Sequence, residues 1–377
     1  MTLSISSAFD GGNIRVVAIK GDVADLEIVK DHQSDFYQWF YFRLTGAAGR
    51  ALKLRITNCG GAAYPDGWPG YQACVSTDRE DWTRAESTYA DGVLTISLTP
   101  ASDSVWVAYF APYTMERHYD LVASVAAVPG VEYRSLCQTL DGRELDYFRL
   151  PGGRLQVWLY ARQHPGETMA EWWMEGALER LLDEADPVVR RLREKATFHI
   201  VPNMNPDGSF RGHLRTNAAG VNLNREWHAP SAERSPEVLA VLGEMDRTGV
   251  DFAMDVHGDE AIAANFLAGF EGIPSWKEGQ QAIFDAFSEA LVRATPDFQT
   301  EKGYEIPAAG KANLSMSTAQ LAERFGAVSM TLEMPFKDNA DLPDPVYGWS
   351  TDRCRLLARA CLDGLHAVLP QLETYRK

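Results

Sequence analysis

The chain has 377 residues, 45% of them hydrophobic and 11% aromatic, which is enough to bury sizeable cores and long enough to predict two domains. Its 52 acidic and 36 basic side chains leave a net charge of -16, which argues against a general phosphate-binding surface and against nucleic acid as a partner, though local basic residues in a cleft can still serve an acidic substrate. No run approaches the roughly eighteen apolar residues of a membrane span, the start lacks a basic-then-apolar leader, and five cysteines without a CxxC pair fit a reducing, cytoplasmic setting.

Residues 1–111 read as a β-rich domain. The runs NIRVVAI (13–19), FYQWFYFRLTG (36–46), RALKLRITNC (50–59) and GVLTISLTP (92–100) are short, β-branched or aromatic, and separated by Gly, Asp and Asn. That pattern predicts a β-sandwich-like module. The first helical pattern is MERHYDLVASVAAV (115–128), so the boundary is set near Ala111 and residues 112–377 form the second domain. There, RSLCQTLDGRELDYFRL (134–150) predicts a hairpin turning on Asp141-Gly142. The apolar runs LQVWLYA (155–161), TFHIVPN (197–203), DFAMDVH (251–257) and AVSMTLE (327–333) predict strands alternating with helices near 168–184, 235–247, 276–293 and 350–369. The expected fold class is α/β, a β-sandwich-like domain followed by a central mixed sheet flanked by helices.

Ligands of open α/β sheets gather beyond the carboxyl ends of the strands, and His164, Asn203, His257 and Glu333 all fall there. Zinc favours imidazole nitrogen and carboxylate oxygen, and a hydrolytic site leaves one position open. His164 and Glu167 flank the Pro165-Gly166 turn of RQHPGET (162–168) and can converge on one ion. His257, in DVHG, is the best third ligand. His32, His118 and His366 lie outside the strand ends, His199 lies within a strand, and His213 and His228 lie in loops. Taken singly, each residue is equally consistent with an ordinary turn or strand-end side chain, and Arg162 either lines a pocket or faces water.

Five stretches in order, HPGET, VPNMNPDGSFRG, GVNLNREW, DVHG and TLEMPF, spread over residues 164–336, resemble the zinc carboxypeptidases of the M14 type. RQHPGET and NPDG, after a β-rich domain containing YQWFYFRL, are similar to the cytosolic carboxypeptidase branch, with this chain as a bacterial member. The resemblance implies one Zn²⁺ per chain held by His164, Glu167 and His257, with Glu333 as general base for zinc-activated water. It implies a peptide or protein C-terminus as substrate. Asn224 and Arg225 would bind its carboxylate, Arg215 would stabilise the oxyanion, and Tyr304, in EKGYEIP, would close over it. A planar guanidinium suits bidentate capture of a carboxylate. It further implies a preference for acidic terminal residues, with Lys302 and Lys311 as candidate basic groups. NPDGS reads as a turn that positions the next loop.

Two positions depart from the family pattern. Asn222 stands where an Asp is usual, and Asp259-Glu260 follow the Gly of DVHG where relatives tend to have a His-Ser pair. Two other readings use the same residues: an amidohydrolase acting on N-acyl amino acids, and a non-catalytic peptide-binding protein. The sequence carries no expectation for oligomeric state.

Overall fold

The structure of the protein, a computed structural model, describes residues 2–375. Its N-terminal domain has two five-stranded sheets. One orders Ser4–Ser6, Tyr41–Thr45, Ser104–Ala108, Ala73–Ser76 and Thr83–Ala85; the other orders Arg15–Lys20, Val23–Glu27, Leu52–Ile56, Val93–Leu98 and Ser87–Ala90. Strand alternation builds the core between them. Leu52, Leu54 and Ile56 are buried while Lys53 and Arg55 are exposed, and the buried set joins Phe42, Leu44, Val105 and Val107 of the opposing sheet in one apolar cluster. The run 36–46 is strand only over Tyr41–Thr45. Its first half is a loop that buries Trp39 and Phe40, so burial there comes from aromatic packing and not from sheet pairing.

The second domain carries a seven-stranded sheet in the order Glu132–Gln138, Glu144–Leu150, Ala196–Val201, Leu155–Ala161, Phe252–Asp259, Val328–Pro335 and Phe266–Ala268. The four strands from Ala196–Val201 to Val328–Pro335 are mutually parallel and the outer pairings are antiparallel, so the sheet is mixed. Every residue of Ala196–Val201 and of Val328–Pro335 is buried, so both strands are mostly apolar, with Thr197, His199, Ser329, Thr331 and Glu333 as buried polar side chains. Leu155–Ala161 shows why both faces are apolar. Val157, Leu159 and Ala161 pack with helices Met169–Leu181, Glu278–Ala294 and Thr351–Tyr375, whereas Trp158 and Tyr160 pack with Pro236–Thr248 and Ser317–Phe325.

The hairpin turn is as expected, with Gly142 at φ 80. Helices Pro187–Lys195, Pro206–Arg211 and Ser317–Phe325 were not anticipated, each being too short to show a helical period. NPDGS is thus a helix start and not only a turn: Asn205 accepts the N–H of Gly208, Pro206 opens the first turn, and Gly212 ends it at φ 69.

Candidate metal centre and active site

The strand Leu155–Ala161 delivers the chain to a strained residue. Arg162 adopts φ 58, a left-handed conformation uncommon outside glycine, of the kind that clusters at functional sites. Its side chain is 2% exposed. Nη2 and Nε donate to the carbonyl of Pro165 at 2.6 and 3.2 Å, and Nη1 donates to the carbonyl of Tyr113 at 2.8 Å and to Glu171 Oε2 at 2.7 Å. Arg162 therefore neither lines a pocket nor faces water; it clamps the turn from behind. The N–H of Gly166 donates to the Leu214 carbonyl at 2.8 Å, and a Cβ there would stand 2.9 Å from that oxygen, so only glycine permits the approach.

The turn brings His164 and Glu167 to His257, and the three offer ligand atoms all within 4.8 Å of one another. His164 Nδ1 lies 2.7 Å from Glu167 Oε1, His257 Nδ1 lies 2.7 Å from Glu167 Oε2, and the two Nδ1 atoms are 3.1 Å apart. Each far nitrogen meets an acceptor. His164 Nε2 is 3.0 Å from Asn222 Oδ1, and His257 Nε2 is 2.8 Å from Asp255 Oδ2, close but without hydrogen-bond alignment. With the proton on Nε2, toward these acceptors, each ring would leave a lone pair on Nδ1. Two lone pairs and a carboxylate then face one buried point. The nearest donors are the Gly258 N–H, 3.2 Å from Glu167 Oε2, and Arg215 Nη1, 3.5 Å from His164 Nδ1. This donor set fits a zinc ion.

Charge in the cluster follows the same logic. Burial, aided by Arg215, holds the His164 pKa down to about 3, so the ring is neutral. Burial opposes charge on Glu167, yet the two imidazoles outweigh it and lower its pKa. Burial also opposes charge on His257, but Asp255 and Glu167 raise its pKa; a cation among these groups takes the place of that proton.

Glu333 stands directly across the ladder from His257. It is 6% exposed, and its Oε2 is buried with no hydrogen-bond partner. Burial pushes its pKa up; His257 pulls it down, but Glu167, Asp259 and Glu260 add to the rise. The Tyr304 hydroxyl lies 2.7 Å from Asp259 Oδ2 and 3.2 Å from Glu333 Oε1, so the tyrosine reaches the site and Asp259 is one of its partners. Glu260 is buried, and burial with the nearby Glu167 raises its pKa.

Arg215 is half-buried, 4.0 Å from Glu167, with the rings of Phe36 and Tyr64 at 5.6 and 5.5 Å from its guanidinium. Arg225 is partly exposed, its Nη1 donating to the Asn224 carbonyl at 2.6 Å; partial burial and then Arg215 lower its pKa. Asn224 is buried, and its Oδ1 accepts the Ser317 N–H at 2.9 Å. Asn203 is no ligand: its amide bonds Glu171 and Ser209 at 3.1 Å behind the turn.

A cavity of about 630 Å³ opens beside Tyr304, with Thr318 and Thr331 in its lining. Its lining includes the acidic residues Glu271, Asp285, Glu301 and Glu305 and the basic residue Lys302. Lys302 is tied to Asp341 at 2.6 and 2.8 Å, and Lys311 is not among the lining residues. The two lysines expected to receive an acidic side chain therefore do not form a basic wall.

Sequence reasoning missed Asp255 and Gln163. Asp255 takes the Gln163 amide at 2.6 Å and the Ser317 hydroxyl, and holds His257. The signal was present in DVH, because residues two apart on a strand share a face.

Residues 5–110 match the family model for the cytosolic carboxypeptidase N-terminal domain, and residues 121–339 match that for zinc carboxypeptidase. An uncharacterized protein of Zymomonas mobilis is 60% identical over 99% of this chain and 98% of its own length. Cytosolic carboxypeptidase 1 of Mus musculus is 31% identical over 64% of this chain, a stretch that spans 24% of the mouse protein. Among solved structures, a metallo-carboxypeptidase from Burkholderia cenocepacia is 47% identical with a TM-score of 0.94 over 100% of both chains. One from Pseudomonas aeruginosa, in complex with (2-guanidinoethylmercapto)succinic acid, is 42% identical with a TM-score of 0.94 over 98% of this chain and 100% of its own.

Proposed function

Since the chain belongs to the zinc carboxypeptidase family, with the N-terminal domain of its cytosolic branch, we propose that it hydrolyses the C-terminal peptide bond of peptides or proteins using one zinc ion held by His164, Glu167 and His257. The observation that carries this reading is the convergence of the two Nδ1 atoms, 3.1 Å apart, on the Glu167 carboxylate, with Glu333 one strand away in register. The domains are taken as 1–111 and 112–377. A cytoplasmic setting fits the five cysteines, all free; no helix among the described residues is long and apolar enough to cross a membrane.

When bound, zinc supplies a Lewis acid for the scissile carbonyl and for water. Glu333 takes the proton of the attacking water and returns it to the leaving nitrogen. Arg215 faces the oxyanion, where one well-placed donor contributes about 2.7–4 kcal/mol. Asn224 and Arg225 take the terminal carboxylate. Tyr304 closes the site, its hydroxyl moving from Asp259 to the substrate.

The terminal side chain enters the cavity beside Tyr304. Its four carboxylates against one paired lysine favour a neutral or basic residue over the acidic one that family resemblance suggests. Digestion of matched peptides ending in Glu, Lys and Phe, with N-acyl amino acids in parallel, tests both points. Fastest release of Glu would restore the acidic preference, and activity on acyl-amino acids without activity on peptides would favour the amidohydrolase.

A further inference from the structure

One carboxylate of the N-terminal domain reaches the loop that carries Arg215. Asp31, 3% exposed, accepts the N–H of Leu214 at Oδ1 (2.7 Å) and, at Oδ2, the N–H of Arg215 (2.8 Å), the N–H of Thr216 (2.9 Å) and the Thr216 hydroxyl (3.0 Å). Three successive backbone N–H groups closed around an anion form a nest. Here a side chain 183 residues away along the chain fills it.

The Leu214 peptide is held from both sides. Its N–H goes to Asp31, and its carbonyl accepts from Gly166, inside the turn between His164 and Glu167. The next residue, Arg215, has its guanidinium against Phe36 and Tyr64, both from the N-terminal domain. The His32 N–H also donates to His213 Nε2 at 3.1 Å, and Asn13 Nδ2 donates to the Gly212 carbonyl at 2.9 Å. These contacts converge on residues 212–216, while the bonds of Asp31 itself fall on 214–216.

We propose that Asp31 is a positioning residue for catalysis: through the 214–216 backbone it sets the Arg215 guanidinium beside the His164–Glu167 turn, making the β-rich domain part of the transition-state machinery. The inference rests on Arg215 acting at the oxyanion. An arginine side chain has many rotamers, and its reach is only as well defined as the backbone it starts from. A displacement of about 1 Å at such a group costs on the order of 100-fold in rate. Four hydrogen bonds to one carboxylate oppose that displacement.

The test uses full-length, zinc-loaded enzyme. Asp31→Asn keeps the shape but replaces one of the two accepting oxygens with an NH₂, which then faces the donors that oxygen served. Its kcat falls about 10–100-fold while KM changes little and zinc content is unchanged. Amide hydrogen exchange at residues 214–216 speeds up by more than about tenfold. Because the effect runs through Arg215, the same substitution in an Arg215→Ala background costs less than about threefold. A loss that multiplies in full on Arg215→Ala, or unchanged exchange at 214–216, overturns the proposal. Wild-type kcat in Arg215→Ala alone would instead refute the oxyanion role, leaving exchange to decide whether Asp31 orders the loop. If Asp31→Asn does not fold, Thr216→Val, which removes one of the four bonds to Asp31, carries the test with a smaller kcat loss and the same non-additivity.

Discussion

His257 and Glu333 are register partners on adjacent parallel strands, so the third candidate ligand and the general-base candidate are spaced by the backbone ladder and not by a loop. Neighbouring strands lie about 4.8 Å apart, and a one-residue slip would turn one of the two side chains to the opposite face. The same two-residue alternation puts Asp255 behind His257 and Thr331, in the cavity wall, behind Glu333.

Asn222 orients His164 with a neutral amide where a carboxylate would add charge. Asn222→Asp should bind zinc about tenfold more tightly, and Asn222→Ala about 10–100-fold more weakly, as read by chelator competition. Part of the alanine effect is structural, since Asn222 Oδ1 also accepts the Asn224 N–H at 3.0 Å. Equal affinity in all three proteins would mean that this contact does not tune the ligand.

Arg162 joins the Pro165 and Tyr113 carbonyls to Glu171. Lysine keeps the charge but not the planar fork. Arg162→Lys should weaken zinc binding about 10–100-fold and destabilise the fold by about 1.5–3 kcal/mol, because the fork that joins Glu171 to the two carbonyls is lost while His118 and Asn203 still meet Glu171. Metal titration and urea denaturation check the two parts. Wild-type zinc affinity with reduced stability would make Arg162 a core ion pair only.

The inner strands and the residues at their ends were legible because a sheet buried on both faces needs largely apolar runs, and His257 and Glu333 stand where those runs stop; Asp255, inside its run, was not. The HxxE spacing of His164 and Glu167 was legible for a similar reason: both candidate ligands sit on one turn. What the sequence hid depends on distant partners. Arg162 looks like a loop charge until its positive φ and the position of Glu171 are known. Lys302 looks free until Asp341, 39 residues on, pairs with it. Asp31 carries no motif, and its partners are about half the chain away.

His118, fully buried, lies 2.6 Å from Glu171 Oε1 and 2.9 Å from Asp146 Oδ2. Burial works against its charge, but the two carboxylates outweigh it and raise the pKa from 6.5 to about 9. A raised histidine stabilises the fold when protonated. That contribution, on the order of 3 kcal/mol, is complete below pH 6.5 and is lost as pH rises through about 9. The stability gap between wild type and His118→Asn, from urea denaturation, should therefore shrink between about pH 6 and pH 10. A gap that does not change with pH would mean the ring is neutral throughout.

The measurement that bears most directly on the central claim is zinc content together with hydrolysis of a peptide library, for wild type and Glu333→Ala. The account predicts one zinc per chain, activity lost to a chelator and restored by zinc, and a Glu333→Ala protein that keeps its zinc while its rate falls roughly 10²–10⁴-fold. Purified wild-type protein that carries no stoichiometric metal and cleaves peptides at full rate in chelator would contradict it.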